Sequence, residues 1–264
     1  MNKILYQADQ AKSIEIKTCA NTVHTSRAHF HDEVSIGIIE QGSCRTEIGH
    51  HSFHLSEGTL LIIPSKAVHR CQPKDTTNWR FKMIYLGDSL FSKIFGDMVR
   101  NGSIYPKLKS STFQYVIKTF KLFEESLLNQ ETEPKVLIDL MNVMDLHEKG
   151  SIKQNSEPPN SEKIGSIIQY LNKHYLSRIT IDDLSEQFGI NKYQLIRQFH
   201  LCTGLTPQKY LINLRINEAK KMLQNNRPIA DVAVTCGFYD QSHFDKYFKA
   251  YTGVVPMNYC LHQP

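Results

Sequence analysis

The sequence predicts two domains of different class: an N-terminal β sandwich or small barrel trailed by two helices, then an all-α domain built from a repeated helix-turn-helix unit. Three observations predict this division. Short alternating or apolar runs separated by turn-rich pieces fill residues 14–86. From residue 111 the apolar spacing changes to that of a helix. The last hundred residues contain an internal repeat, the sequence signature of a duplicated structural unit. A chain of 264 residues is long enough to give each part its own core.

In the β part, Ser35–Glu40, Thr59–Ile63 and Trp79–Leu86 read as strands, with turns at Glu40–Ser43 and Ser56–Gly58. Trp79, Phe81, Met83 and Tyr85 alternate and are expected in the core. Phe113, Val116, Ile117, Phe120, Phe123 and Leu127 form one face of a helix over 111–129. This stripe either packs on the barrel of its own chain or joins two chains. A second helix follows Pro134, with Val136, Leu137, Leu140, Met141 and Met144 on one face. Residues 149–161, polar and carrying Gly150 and Pro158-Pro159, read as a linker between domains 1–148 and 162–264.

Composition narrows the class. No apolar run approaches a membrane span, and the N-terminus turns polar too early for a signal peptide. Six scattered cysteines without a C-x-x-C pair fit reduced thiols rather than a disulfide framework or zinc ribbon, so a cytoplasmic location is expected. The net charge of +5 is uneven: residues 161–264 hold twelve Lys+Arg against eight Asp+Glu, while residues 1–160 are nearly balanced. A basic excess confined to one half suits a polyanion partner for that half.

The repeat sets Ile181-Asp-Asp-Leu184-Ser185-x-x-x-Gly189 beside Ile229-Ala-Asp-Val232-Ala233-x-x-x-Gly237, an offset of 48. Beyond the glycines the offset is 49, pairing Leu195 with Phe244, Arg197 with Lys246, Phe199 with Phe248 and Pro207 with Pro256. Each copy has a small residue where two helices cross, then a glycine four residues on for the left-handed end of the first helix. Apolar residues at i and i+4 pin the next helix to a core and leave its other face polar. A two-unit helical solenoid is the rival reading, weakened by the tight small-x-x-x-Gly turn.

Residues 163–260 resemble the DNA-binding domain of the AraC/XylS family of transcription regulators. Ile181–Gly189, Thr203–Pro207, Ile229–Ala233, Cys236–Phe238, Asp240–Phe244 and Gly253, Pro256 and Tyr259 carry the match. The resemblance implies seven helices, with Pro207 to about Gln224 linking two recognition helices that enter successive major grooves of promoter DNA. By family position, Tyr193, Ile196 and Arg197 match base-proximal sites, as do Gln241, Ser242, His243 and Lys246. The exposed arc adds Gln194. Ile196 could equally be core, and His243 could cap local structure. Lys192 and Lys209 are candidate phosphate contacts. Arg215, Lys220 and Lys221 are expected on a solvated helix face.

The N-terminal half carries His29-Phe30-His31 on an apparent strand, then Gly42, Gly58, Pro64 and His69. These residues resemble the two motifs of a cupin barrel of the arabinose-sensor type. The chain departs at Ser35, where a metal-binding glutamate belongs, and at Lys66, where glycine is usual. Period two places His29, His31, Glu33 and Ser35 on one face. His29, His31 and His69 are therefore the candidate effector-binding residues, in a pocket read as metal-free, with no cofactor and no catalytic residue. Three imidazoles could also hold Zn²⁺ or Fe²⁺. Arg45 is a nearby cation for an anionic effector, or a surface residue. The family implies a homodimeric activator that responds to a small molecule and works with RNA polymerase. The alternatives are a metal-dependent cupin dioxygenase or isomerase with an appended DNA-binding domain, and a constitutive DNA-binding protein with a vestigial barrel.

Overall fold

The computed structural model describes residues 3–9, 11, 13–22, 27–95, 103–105, 107–128, 137–140, 142–143, 152–153 and 162–260. In the N-terminal half, strands β1 (Lys3–Ala8), β2 (Ile14–Ala20), β3 (Val34–Gln41), β4 (Ser43–Ile48), β5 (His51–Ser56), β6 (Leu60–Ile63), β7 (His69–Pro73) and β8 (Arg80–Leu86) come first. They are followed by α1 (Asp88–Phe95), β9 (Ser103–Tyr105), α2 (Ser110–Leu128) and β10 (Ile152–Lys153). The strands form one sheet in the order β1-β2-β8-β3-β6-β9-β10 and a second in the order β5-β4-β7. Ile152–Lys153, inside the segment expected to be linker, pair with β9. β1, α1 and β9 had no sequence expectation.

Period-two alternation divides the large sheet into two faces. Ile36, Ile38, Leu60, Ile62, Ile84 and Leu86 point to one side, where Phe91, Phe95, Val116, Phe120, Phe123 and Leu127 cover them. The α2 stripe is thus spent on its own chain's sheet. Leu137, Leu140 and Val143 bury on the same side, while Val136, Met141 and Met144 lie outside the described residues. On the opposite face Ile39, Leu61, Trp79, Phe81, Met83 and Tyr85 meet Cys44, Ile48 and Leu55 of the three-stranded sheet. The His29–His31 segment is not a strand: one antiparallel bridge, with His29 N–H to His69 O at 3.0 Å and the reverse at 2.8 Å, ties it to β7.

The C-terminal half contains α3 (Glu162–His174), α4 (Ile181–Phe188), α5 (Lys192–Thr203), α6 (Pro207–Gln224), α7 (Ile229–Thr235), α8 (Gln241–Thr252) and α9 (Pro256–Cys260). Helices α4 and α5 form one helix-turn-helix, α7 and α8 the other. Thr180 and Asp183 make a reciprocal capping box at the start of α4. Gly189 (φ 56°) and Gly237 (φ 73°) supply the left-handed turns of the two units. Asn191 caps α5 two residues after its glycine, whereas Asp240 caps α8 three residues after its own. The extra residue behind the change in offset therefore falls in the second turn, where Tyr239 is 90% exposed.

Helix α6 is buried on two sides. Tyr210, Leu211 and Leu214 join the core of the first unit. Ile216, Ala219 and Leu223 join that of the second. A second stripe, Asn213, Asn217, Lys220 and Gln224, is polar yet buried, because the N-terminal half covers it. Asn213 brackets the Phe30 backbone, accepting its N–H and donating to its carbonyl, both at 2.9 Å. The Phe30 ring is fully buried in the first unit's core, 4.8 Å from Tyr210. Glu15 of β2 accepts from Lys220 Nζ at 2.7 Å, from Gln224 at 3.0 Å and from the Tyr259 hydroxyl. Asp32 accepts from Lys221 at 2.7 Å.

These contacts correct the expectation of a solvated face for Lys220 and Arg215, whereas Lys221 is exposed as expected. Lys220 is buried and ion-paired. Arg215 donates to the carbonyls of Tyr175, Gly237 and Ser177, all within 2.9 Å. It braces the loop after α3 against the second turn.

Replacing Asn213 with alanine leaves the buried Phe30 N–H without its partner and the Phe30 carbonyl with only the 3.4 Å bond from Asn217. The expected cost is about 1–3 kcal/mol, the range for one unmet buried group. Urea denaturation of the full chain measures it; an unchanged midpoint would show that water replaces the amide.

Candidate DNA-binding surface and sensor pocket

The recognition elements follow from where apolar residues sit on α5 and α8. Leu195 and Phe199 are fully buried, as are Phe244 and Phe248, so each helix is pinned along one edge. The opposite arcs face solvent. Tyr193, Gln194, Ile196 and Arg197 are exposed on α5, Tyr193 to 74% and Ile196 to 37%. On α8, Gln241, Ser242, His243 and Lys246 are exposed. All eight candidate DNA-contacting residues thus stand on open arcs of two helices fixed to one linker.

His243 also has local duties. Its backbone N–H donates to Asp240 Oδ1 at 2.7 Å, and its ring lies 4.9 Å from that of Tyr247. Lys192 pairs loosely with Asp182 at 3.6 Å. Two exposed apolar residues beside the arcs, Val234 and Tyr239, had no place among the candidates. The one-residue change in repeat offset was the available signal for Tyr239. The backs of α6 and α8 face the sensor half. The Arg27 guanidinium lies 5.3 Å from the Tyr247 ring and 5.9 Å from the Tyr251 ring. Lys17 Nζ and the Tyr6 hydroxyl both donate to Thr252 O.

In the sensor half His29, His31 and His69 come together. One ring nitrogen of each lies within 4.8 Å of the others. His29 Nδ1 donates to Arg27 O at 3.0 Å and His69 Nδ1 to Ala67 O at 2.9 Å. In the neutral ring this places the lone pair on Nε2. Burial, then the neighbouring imidazoles, hold His29 and His31 well below the ordinary histidine range. Burial brings His69 down to about 4. At neutral pH the cluster is uncharged.

Lys66, in the glycine position of the second motif, keeps a left-handed backbone (φ 60°), and its N–H donates to His31 O at 2.7 Å. Ser35, in the carboxylate position, is buried with its Oγ unpartnered among the described residues. Glu33 stands outside the histidine cluster. The donor set is three neutral nitrogens without an anionic ligand, which does not fit the histidine–carboxylate iron site that the motif implies. Arg45 is exposed and pairs with Glu47 on the outer surface, away from the pocket.

His31 and His69 form the polar end of a pocket between the two sheets, with Thr46, Tyr85, Trp79, Phe81, Met83 and Leu55 among its other walls. His31 stacks edge-on against Tyr85 at 4.7 Å. Tyr85 in turn lies 5.0 Å from the Lys220 ammonium of α6. The pocket therefore touches the interdomain contacts at Tyr85 and through His31, next to Phe30.

A pocketed β domain docked on two linked helix-turn-helix units defines a ligand-responsive, DNA-binding transcription regulator. Among family models, the AraC-like ligand-binding domain matches residues 14–116 and a helix-turn-helix domain matches residues 184–260. The chain belongs to the AraC family of transcription regulators. It is 29% identical over 220 residues to the uncharacterized HTH-type transcriptional regulator YbfI of Bacillus subtilis (strain 168), covering 81% of this chain and 80% of that protein. It is 26% identical over 235 residues to the HTH-type transcriptional activator RhaS of Enterobacter sp. (strain 638), covering 84% and 82%. The fold is that of ToxT from Vibrio cholerae O395, with a TM-score of 0.59 at 12% identity over 95% of this chain and 98% of that one. An unsaturated-fatty-acid-bound ToxT from strain SCE256 matches with a TM-score of 0.57 at 13% identity, over 100% and 97%. Among the described residues no helix is long and apolar enough to cross a membrane.

Acid should weaken this protein through the histidine cluster. An unfolded imidazole titrates near 6.5 and folded His69 at about 4, so the unfolded chain binds the proton first. The folded state is fully favoured above about pH 7 and loses ground as pH falls through 6.5 toward 4. The share from His69 alone approaches about 3 kcal/mol. Thermal melts between pH 7.5 and about 4.5 should show a steeper decline for the parent than for His69→Gln. Parallel curves would reject the linkage.

Proposed function

We propose that the chain is a cytoplasmic activator whose effector occupies the barrel pocket at His29, His31 and His69. Its DNA-reading residues are Tyr193, Gln194, Ile196 and Arg197 of the first unit and Gln241, Ser242, His243 and Lys246 of the second. The domains fall at 1–148 and 162–264, joined by 149–161. The observation that carries this reading is the pair of open polar arcs on α5 and α8, held by a single linker helix. At 1.5 Å per residue that helix spans roughly 27 Å, a length suited to two helices in successive major grooves. Arg197 offers a fork to guanine or phosphate, and Gln194 suits adenine. A homodimer and contact with RNA polymerase belong to the same reading, supported by family likeness.

Control runs from the pocket to α6 through two short routes. His29 and His31 flank Phe30, which Asn213 grips, and Tyr85 sits under Lys220. An effector with different affinity for the docked and undocked arrangements shifts their populations by that difference. The convergent imidazoles favour one rival, a metal-dependent cupin enzyme. It requires about one Zn or Fe per chain by elemental analysis, lost in His31→Ala.

Arg197→Ala and Lys246→Ala should each weaken promoter binding by about 1–3 kcal/mol, and a lost phosphate contact should flatten the salt dependence. Gel-shift titration of full-length protein at several salt concentrations measures both. Both variants binding like the parent would reject the assignment of these arcs.

A further inference from the structure

The pocket's wall chemistry narrows the ligand it accepts, an inference that rests on the effector-pocket reading above. The apolar walls are Leu55, Leu61, Trp79, Phe81 and Met83, with the sulfurs of Cys44 and Cys71 beside them. Among the described residues no carboxylate lines the pocket. The ammonium of Lys82 is committed to Glu124 of α2, at 2.5 Å. Thr46 Oγ1 is already engaged with the sulfurs of Cys44 and Cys71 at 3.2 and 3.4 Å. His69 spends its Nδ1 on Ala67 O. A polyhydroxylated ligand needs a partner for nearly every hydroxyl it buries, and away from the polar end at His31, His69 and Tyr85 this wall supplies few. A charged ligand would meet no uncommitted counter-ion among the described lining residues.

Among the lining residues, one fully buried polar atom has no partner. The Trp79 indole is 2% exposed, and its Nε1 has no hydrogen-bond partner among the described residues. An indole nitrogen only donates, so what is missing is an acceptor.

The pocket is also nearly full. Its free volume is about 20 Å³, room for about one water. The occupant is Met83, lying over Gly37 so closely that a Cβ there would come within 2.7 Å of its sulfur. An unbranched thioether rearranges readily and favours aromatic neighbours, so Met83 can yield its place to a ring.

We propose that the pocket takes a small uncharged ring compound bearing one carbonyl, its ring against Phe81, Leu55 and a displaced Met83 and its oxygen accepting from Trp79 Nε1, and that sugars are excluded.

Trp79 is the only tryptophan of the chain, so intrinsic tryptophan emission reports on the pocket alone. Full-length protein is titrated with acetophenone, with ethylbenzene (the same ring without an acceptor) and with L-arabinose. Emission and isothermal calorimetry are followed together. Acetophenone should bind saturably, about tenfold tighter than ethylbenzene, as befits one buried hydrogen bond. L-arabinose should not bind. In Trp79→Phe, read by calorimetry, acetophenone should lose that advantage. Equal affinities of acetophenone and ethylbenzene in the parent would overturn the acceptor role without any variant. Saturable L-arabinose binding that His31→Ala removes would overturn the ligand class and leave the effector pocket standing. Binding of none of the three would overturn the ligand class and count against the pocket itself.

Discussion

Helix α6 has no face to spare, and the arrangement of both halves follows from that. Its apolar sides complete the cores of two helix-turn-helix units, and its remaining polar stripe is closed over by the sensor half. Burying a lysine is tolerable only when a counter-charge and further hydrogen bonds accompany it. Glu15 meets that condition by gathering Lys220, Gln224 and the Tyr259 hydroxyl on one carboxylate. Burial works to lower the Lys220 pKa, but Glu15 and the nearby Glu33 outweigh it and hold the ammonium charged. Lys17 lacks such a carboxylate bond, donates to a backbone carbonyl, and burial brings it down to about 7. The two lysines show how one interface can hold a fixed charge beside a labile one.

The same interface links the pocket to the DNA-reading helices without a long path. Phe30 sits between His29 and His31 in sequence, of which His31 lines the pocket, and inside the first unit's core in space. Arg27, two residues before His29, reaches the tyrosines on the back of α8. This one short segment therefore touches both units at once. Two arrangements of packed side chains, rather than a graded deformation, are the expected response, because close-packed cores do not stretch.

Much of this was legible in the sequence because it rests on periodicity and on residues with special backbone needs. Gly189 and Gly237 mark the turns, and Leu195/Phe199 and Phe244/Phe248 mark the buried edges, so the exposed arcs followed by elimination. What could not be read was anything decided by contact between the halves. Asn213, Asn217, Lys220 and Gln224 recur at spacings of four, three and four, a burial rhythm written in polar residues. Hydrophobic patterning is blind to it, and Lys220 was therefore placed in solvent. The same blindness hid β1, whose Tyr6 and neighbours serve the interface as much as the sheet. The His29–His31 segment alternates like a strand, yet only a single bridge to β7 forms, and the Phe30 N–H and carbonyl are taken by Asn213 of α6 rather than by a neighbouring strand.

The grip of Asn213 on position 30 is made to the main chain, through an amide N–H and a carbonyl that every residue except proline presents. The side chains on either side can therefore change while the joint persists. A lineage adjusting this barrel to a new chemical signal is free to rewrite positions 29 and 31 without rebuilding the mechanical linkage behind them. Side-chain chemistry and the docking of the two halves can then evolve at different speeds within three consecutive residues.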